Sequence, residues 1–246
     1  MTSLLETIPI RQPEYPISPK PVNNTQAFKA QDKNHEIKVK AATITGSALT
    51  TLAYMFILAK TAQKGNFKFK DLWNIEFHNM FKVMGLATSA VIGGLAGGLL
   101  TDKENRKAKL QEGIHQFFGN IVAPITIVGI ASNAIEKRKF APSKEILLSG
   151  LTAIMGVGIG VTGGNWFASK VNKAIFKEDD GRHVSFKDFG IHIDDLLTVA
   201  ALTPIGRSIQ SFISVALPAI FQICGYEAGT HTEHEKHKHK HEPKVV

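Results

Sequence analysis

Five stretches of this chain run longer without a charge than a helix at a protein–water boundary can sustain. Residues 41–59, between Lys40 and Lys60, hold 19 uncharged side chains; 83–101 hold another 19, 113–135 hold 23 and 146–169 hold 24. A fifth stretch, 196–226, is interrupted only by Arg207. Crossing a bilayer takes about 20 predominantly apolar residues in helical form. Four of the stretches meet or closely approach that length with no formal charge.

A soluble helix that is apolar all round must be buried all round. Four or five of them in 246 residues would leave almost no helix to cover them. The expected fold class is therefore all-α: a helical integral membrane bundle of four to five hydrophobic helices packed through small-residue faces of Gly, Ala, Ser and Thr. A soluble helical core and interfacial hairpins are the competing arrangements. The mean hydropathy of −0.01 and the 43% hydrophobic content look ordinary only because the tails and connectors hold nearly all the charge. Trp73, Trp166 and Tyr226 fall near stretch ends, where interface-seeking rings belong, whereas Tyr54 falls in mid-stretch.

Small residues recur in steps of four. Gly85, Ser89, Gly93 and Gly97 form one row in the second stretch, with Ala90, Gly94 and Gly98 beside it; Thr152, Gly156, Gly160, Gly164 and Ala168 form a row in the fourth. Such steps line one helical face and let a second backbone approach closely. The spacing predicts helix packing at Gly85, Ser89, Gly93, Gly94, Gly97, Gly98, Gly156, Gly160 and Gly164. It does not say whether the partner helix belongs to the same chain.

Three regions follow: a polar, Pro-containing tail over 1–38 expected to be disordered, a helical membrane domain over 39–228, and a His/Lys/Glu-rich tail over 229–246 expected to be disordered. The first long apolar run begins at Ala41 and exceeds a signal-peptide core, so no cleavable signal is expected. The net charge of +8 invites a nucleic-acid reading, but Lys and Arg edge every apolar stretch instead of forming one patch, so the expected partner is the lipid bilayer. With five alternating spans, and counting only the four membrane-near lysines of the N-terminal arm and leaving out Arg207, each side collects 13 Lys and Arg, and the positive-inside rule gives no orientation. A multi-pass protein of a bacterial inner membrane is the expected setting.

Candidate sites gather around the fifth stretch. Arg207 follows Pro204 and Gly206, so a cation sits beside a loosened helix ladder, and Asp194 and Asp195 lie at the start. His192 with Asp194 has the donor types for a metal or a proton site, although aspartates there commonly cap a helix. Asn120 and Asn165 are polar groups within uncharged stretches, suited to a solute path or to interhelical hydrogen bonds. His115, near a stretch edge, is expected to face water or headgroups. His231, His234, His237, His239 and His241 would bind zinc, nickel or copper in vitro, as flexible imidazole-rich chains do; no resident cofactor is expected. The Asp180-Gly181 segment lacks the ligand spacing of a calcium loop.

No phosphate loop, zinc-protease motif or nucleophile elbow occurs, and the single Cys224 is flanked by apolar residues, so no catalytic residues are assigned and an enzyme is not expected. The leading expectation is a structural or interaction role, through self-assembly or association with another membrane protein. The alternative is a small-solute or metal-ion transporter or channel using Arg207 and the His192, Asp194 and Asp195 cluster.

Overall fold

The computed structural model describes residues 24–63, 67–138, 140–178, 193–202 and 209–233. Its helices, in order, are α1 (Asn24–Ala62), a 3₁₀ segment (Phe69–Asn74), α2 (Met80–Thr101), α3 (Arg106–His115), a π-helical segment (Gln116–Val122), α4 (Ala123–Lys137), α5 (Pro142–Phe176), α6 (Ile193–Leu202) and α7 (Gln210–Thr230). No strand occurs among the described residues. Two units divide the chain, Met1–His35 and Glu36–Val246, and the bundle belongs to the second. Helix begins at Asn24, inside the stretch expected as a disordered tail.

Five helical runs are long and apolar enough to cross a membrane: Asp32–Ala62, Met80–Thr101, Arg106–Lys137, Leu147–Phe176 and Gln210–Thr230. They match the five uncharged stretches, with two differences. The third run starts at Arg106, because α3, the π segment and α4 form one continuous helix; the polar residues before 113 are helix, not connector. The described residues of the fifth stretch form two helices, α6 and α7, and of these α7 alone has spanning length.

Local chemistry accounts for the helix ends. Asn79 accepts a 2.8 Å hydrogen bond from the Phe81 N–H and caps α2. Pro142 opens α5 at a position where its missing N–H costs nothing, and Lys177 in the left-handed region (φ 58°) closes it. The π segment has a cause in Pro124, whose ring would clash with the Asn120 carbonyl in an α-helical register. Widening over Gln116–Val122 relieves that clash without ending the helix.

Helix directions follow from the glycines. A Cβ on Gly46 would collide with the Gly93 carbonyl, and one on Gly97 with the Ala42 carbonyl, so α1 runs antiparallel to α2. Gly94 faces Gly225 and Gly98 faces Gly229, so α7 runs parallel to α2 on its other side. Thr50 Oγ1 donates to the Ser89 carbonyl at 2.6 Å, a direct bond between α1 and α2, and Gly85 abuts the Tyr54 ring. On the remaining side Gly113 meets Leu95 and Gly129 meets Met80, which sets the α3–α4 helix antiparallel to α2. Gly156, Gly160 and Gly164 then meet Val128, Pro124 and the Phe118 carbonyl, making α5 antiparallel to α3–α4.

The bundle therefore has two ends. One, the Asp102 end, gathers the start of the bundle portion of α1, the α2–α3 turn and the C-termini of α5 and α7. The other, the Trp73 end, gathers the start of α2, the end of α4 and the start of α7, where Ser214 Oγ donates to the Trp73 carbonyl and Gln210 to the Ile75 carbonyl. α6 finishes there too, its Leu202 carbonyl accepting from Ser132 and its Ala201 carbonyl facing His78. Since α5 and α7 run the same way, they do not form the hairpin that α2 and α3–α4 form.

Between the ends the core is Leu86, Ala87, Ala90, Ile121, Ile125, Leu217 and Phe221, all nearly inaccessible. The outer faces invert the soluble pattern. Leu100 is 77% exposed, Ile154 67%, Met155 63% and Phe212 61%. Exposed Trp73 and Trp166 stand near opposite ends, the latter with the Lys170 ammonium 5.5 Å over its ring. Five such helices are compatible with a multi-pass membrane protein.

Gly98→Leu or Gly94→Leu should force α7 off α2 and lower stability by about 1–3 kcal/mol, in the range of core overpacking. Gly163→Leu, with nothing within 4 Å of where its Cβ would stand, should leave the melting temperature in detergent nearly unchanged.

A buried polar network at the Asp102 end

Where α2 turns into α3, the chain buries charge. Asp102 closes α2, its N–H bonded to the Gly98 carbonyl at 2.9 Å, and its carboxylate accepts from the Asn105 side-chain amide at 3.0 and 3.2 Å and from the Asn105 N–H at 3.3 Å. One turn into α3, Lys109 Nζ lies 3.1 Å from Asp102 Oδ2, with side chains 0% and 5% exposed. The same ammonium donates to the His231 carbonyl at 3.1 Å, and the Glu233 N–H donates to Asn105 Oδ1 at 3.1 Å. The chain leaving α7 is thus fastened to the α2–α3 turn.

Helical steps of three and four carry the network inward. Lys109 is followed on the same face by Glu112, Gln116 and Asn120. The Gln116 amide donates to Glu112 Oε1 at 2.8 Å and to Glu227 Oε2 of α7 at 2.9 Å, while its carbonyl oxygen accepts from Asn120 at 2.8 Å. His231 Nδ1 stands 3.9 Å from Glu112 Oε2. A neighbouring row faces α5: His115 Nδ1 is 3.1 Å from Asn165 Oδ1, and Asn172 donates to the Gln111 carbonyl at 3.2 Å. The π segment begins at Gln116, so the widened turn spans the inner part of the network.

Burial alone would raise the Asp102 carboxyl, and it is overridden by hydrogen bonds from Asn105 and Lys109 and by the Lys109 charge, which together hold it below the ordinary carboxylate range. Inward of Asn120 the same helix presents Ile121, Ile125 and Val128 to the core. The network therefore reaches the level of Asn165, next to Trp166, and one turn beyond.

The expected candidates divide. Asn120 and Asn165 join this network, and so does His231. His115 corrects its expectation: it is 3% exposed and turned toward Asn165, not toward water, because the helix that carries it begins at Arg106. Asp194 and Asp195 fall in the first turn of α6. His192, Arg207, His234, His237, His239 and His241 lie outside the described residues. Lys109, Gln111, Glu112, Gln116 and Glu227 were not expected here. Their spacing along α3 was readable, but the charges that define the network were also what ended the apolar stretch. Among the described residues no three His, Cys, Asp or Glu side chains are grouped to hold a metal ion.

Comparison with protein-family models, with curated proteins and with solved structures finds no match.

Asp102→Asn or Lys109→Met should destabilise the bundle by about 3–5 kcal/mol, since each leaves a buried partner uncompensated. The double variant should lose less than the sum of the two. The sign with pH follows from the lowered Asp102 value: its contribution is complete above about pH 4, the unfolded carboxyl value, and is lost as pH falls through the folded one. Thermal unfolding from pH 7 down to pH 3 should show that loss in the parent and not in Asp102→Asn.

Proposed function

We propose that this chain is a multi-pass membrane protein with an interaction role, a self-contained bundle in which the bundle portion of α1 begins and α7 ends at one membrane face. The observation that carries the reading is where the small-residue faces go. Gly85, Gly93, Gly94, Gly97 and Gly98 of α2 meet α1 and α7, and Gly156, Gly160 and Gly164 of α5 meet the α3–α4 helix, so these faces act within the chain. What remains outside is apolar side chain suited to lipid. Contacts with partners then fall to the tails and to the lipid-facing surface, and self-assembly through the glycine rows is not part of the proposal.

The helix directions support a common face for the start of the bundle portion of α1 and the end of α7. The bundle portion of α1 starts at the Asp102 end, and Glu233 is bonded to Asn105 there. The four lysines that follow Glu233 in sequence therefore join the side of the α2–α3 turn instead of opposing it. That breaks the tie in basic residues, and the positive-inside rule then favours a cytoplasmic Asp102 end.

A second reading, ion or small-solute transport, is favoured by one observation: ionisable groups buried among helices, which commonly mark a proton or ion path. Its residues would be Glu112, Gln116, Asn120 and Glu227, not the Arg207 cluster. Against it, the five long helices carry no charged side chain in their central stretches, 41–59, 83–101, 113–135, 146–169 and 210–226.

Single cysteines in a Cys224→Ala background separate these possibilities from a soluble core. Probes at Glu104 and Thr232 should label from one side of sealed membranes and probes at Asn74 and Lys137 from the other, in protein that resists carbonate extraction. Release by carbonate, or labelling of all four from one side, would remove the proposal. Proteoliposomes of Glu227→Gln and parent protein should show equally low proton flux; flux lost with Glu227 would establish the second reading.

A further inference from the structure

At the Trp73 end a groove of about 650 Å³ opens between the first turn of α2, the last turns of α4 and the end of α6. That volume lies within the range of small-molecule sites. Its floor is held by hydrogen bonds from Ser132 to the Leu202 carbonyl and between His78 and the Ala201 carbonyl, so α4, α6 and the segment before α2 are fastened around it.

The walls carry both signs of charge. Lys82 and Lys137 supply two ammonium groups, and Glu76 and Glu136 supply two carboxylates. Lys82 Nζ is aimed by a 3.2 Å bond to the Glu76 carbonyl, which leaves further N–H donors on the same ammonium. Phe81 and Ile130 also line the groove, and both are largely exposed, at 65% and 57%. Lys82 adjoins the second uncharged stretch and Lys137 follows the third, so the charged part of the groove sits where the apolar spans end.

We propose that this groove binds the headgroup of an ethanolamine phospholipid. Lys82 and Lys137 take the phosphate, the carboxylates of Glu76 and Glu136 take the ammonium, and the acyl chains leave across Phe81 and Ile130 into the bilayer. Two cations against two anions suit a zwitterion over an anionic lipid, whose extra charge the carboxylates oppose. An ethanolamine donates N–H bonds to carboxylates, which a quaternary choline lacks. A lipid, not a free zwitterion, is the occupant because two of the lining residues, Phe81 of α2 and Ile130 of α4, are large exposed apolar side chains that acyl chains would cover. The proposal rests on the membrane reading given above.

The test uses full-length protein from carbonate-washed membranes, reconstituted in nanodiscs of equal phosphatidylethanolamine, phosphatidylcholine and phosphatidylglycerol, with retained lipid counted by native mass spectrometry. Phosphatidylethanolamine should be enriched roughly tenfold over the other two, the scale of one or two charge-assisted hydrogen bonds. Lys82→Gln/Lys137→Gln should abolish the enrichment, while Lys60→Gln/Lys68→Gln keeps it. Glu76→Gln/Glu136→Gln should shift retention toward phosphatidylglycerol, a gain that a merely misfolded variant would not give. Equal retention of all three lipids, enrichment that survives loss of both lysines, or displacement by equimolar free phosphoethanolamine would overturn the proposal. Release of the protein by carbonate would instead overturn the membrane reading beneath it.

Discussion

The bundle depends on backbones that approach where no side chain stands between them. Along α2, Gly93 and Gly97 open toward α1 while Gly94 and Gly98 open toward α7, so a single helix is in backbone contact on two sides at once. Glycine in a helix costs about 0.5–1 kcal/mol relative to alanine in water, and it is tolerable here only because each missing Cβ is replaced by a carbonyl or Cα of a neighbour. In lipid, where apolar side chains have no preference for one another over acyl chains, such dispersion contacts and weak Cα–H···O bonds are the available adhesive. Thr50 adds a bond to the Ser89 carbonyl within the same seam.

Once α2 is committed on those two faces, its third face must receive the α3–α4 helix, and the tight turn at Asp102 delivers it. That turn brings ionisable groups with it. Lys109 cannot be withdrawn to water, so Asp102 and the His231 carbonyl surround it. Glu112 and Glu227 meet a common amide donor in Gln116. The network ties α3 to the end of α7, and the row at Gln111 and His115 ties it to α5. Polar bonding thus joins at one end the same helices that glycine joins along their length.

Much of this was legible in the sequence, and the parts that were not share a cause. Uncharged length locates all five long helices, because a bilayer-sized apolar run is a strong constraint. Small-residue steps marked the second and fourth stretches as ones another helix can approach closely, without naming the partner. The limits of the third helix were misplaced because charge was used as a boundary: Lys109 and Glu112 are helix interior, and a residue type that ends a membrane stretch on average can be buried when its partners come from the ends of neighbouring helices. Asp102 is close by in sequence, but His231, which meets both Lys109 and Glu112, lies far away, so only the fold brings it to them. The widening at Gln116–Val122 was likewise hidden, although Pro124 carried its cause.

The direction of α7 is the step from which the most follows. An alternating five-span chain would set α5 and α7 antiparallel, and the balance of basic residues computed on that assumption is a tie. The Gly94–Gly225 and Gly98–Gly229 contacts require α7 to run with α2, while the chain of contacts through α3–α4 requires α5 to do the same. Between Phe176 and Gln210 the chain must therefore return from the Asp102 end to the Trp73 end, and α6, finishing beside His78 and Ser132, is the last part of that return. Among the described residues α6 ends at Leu202 and α7 begins at Gln210, and both of these helix ends are bonded to segments at the Trp73 end, Leu202 through Ser132 and Gln210 through the Ile75 carbonyl.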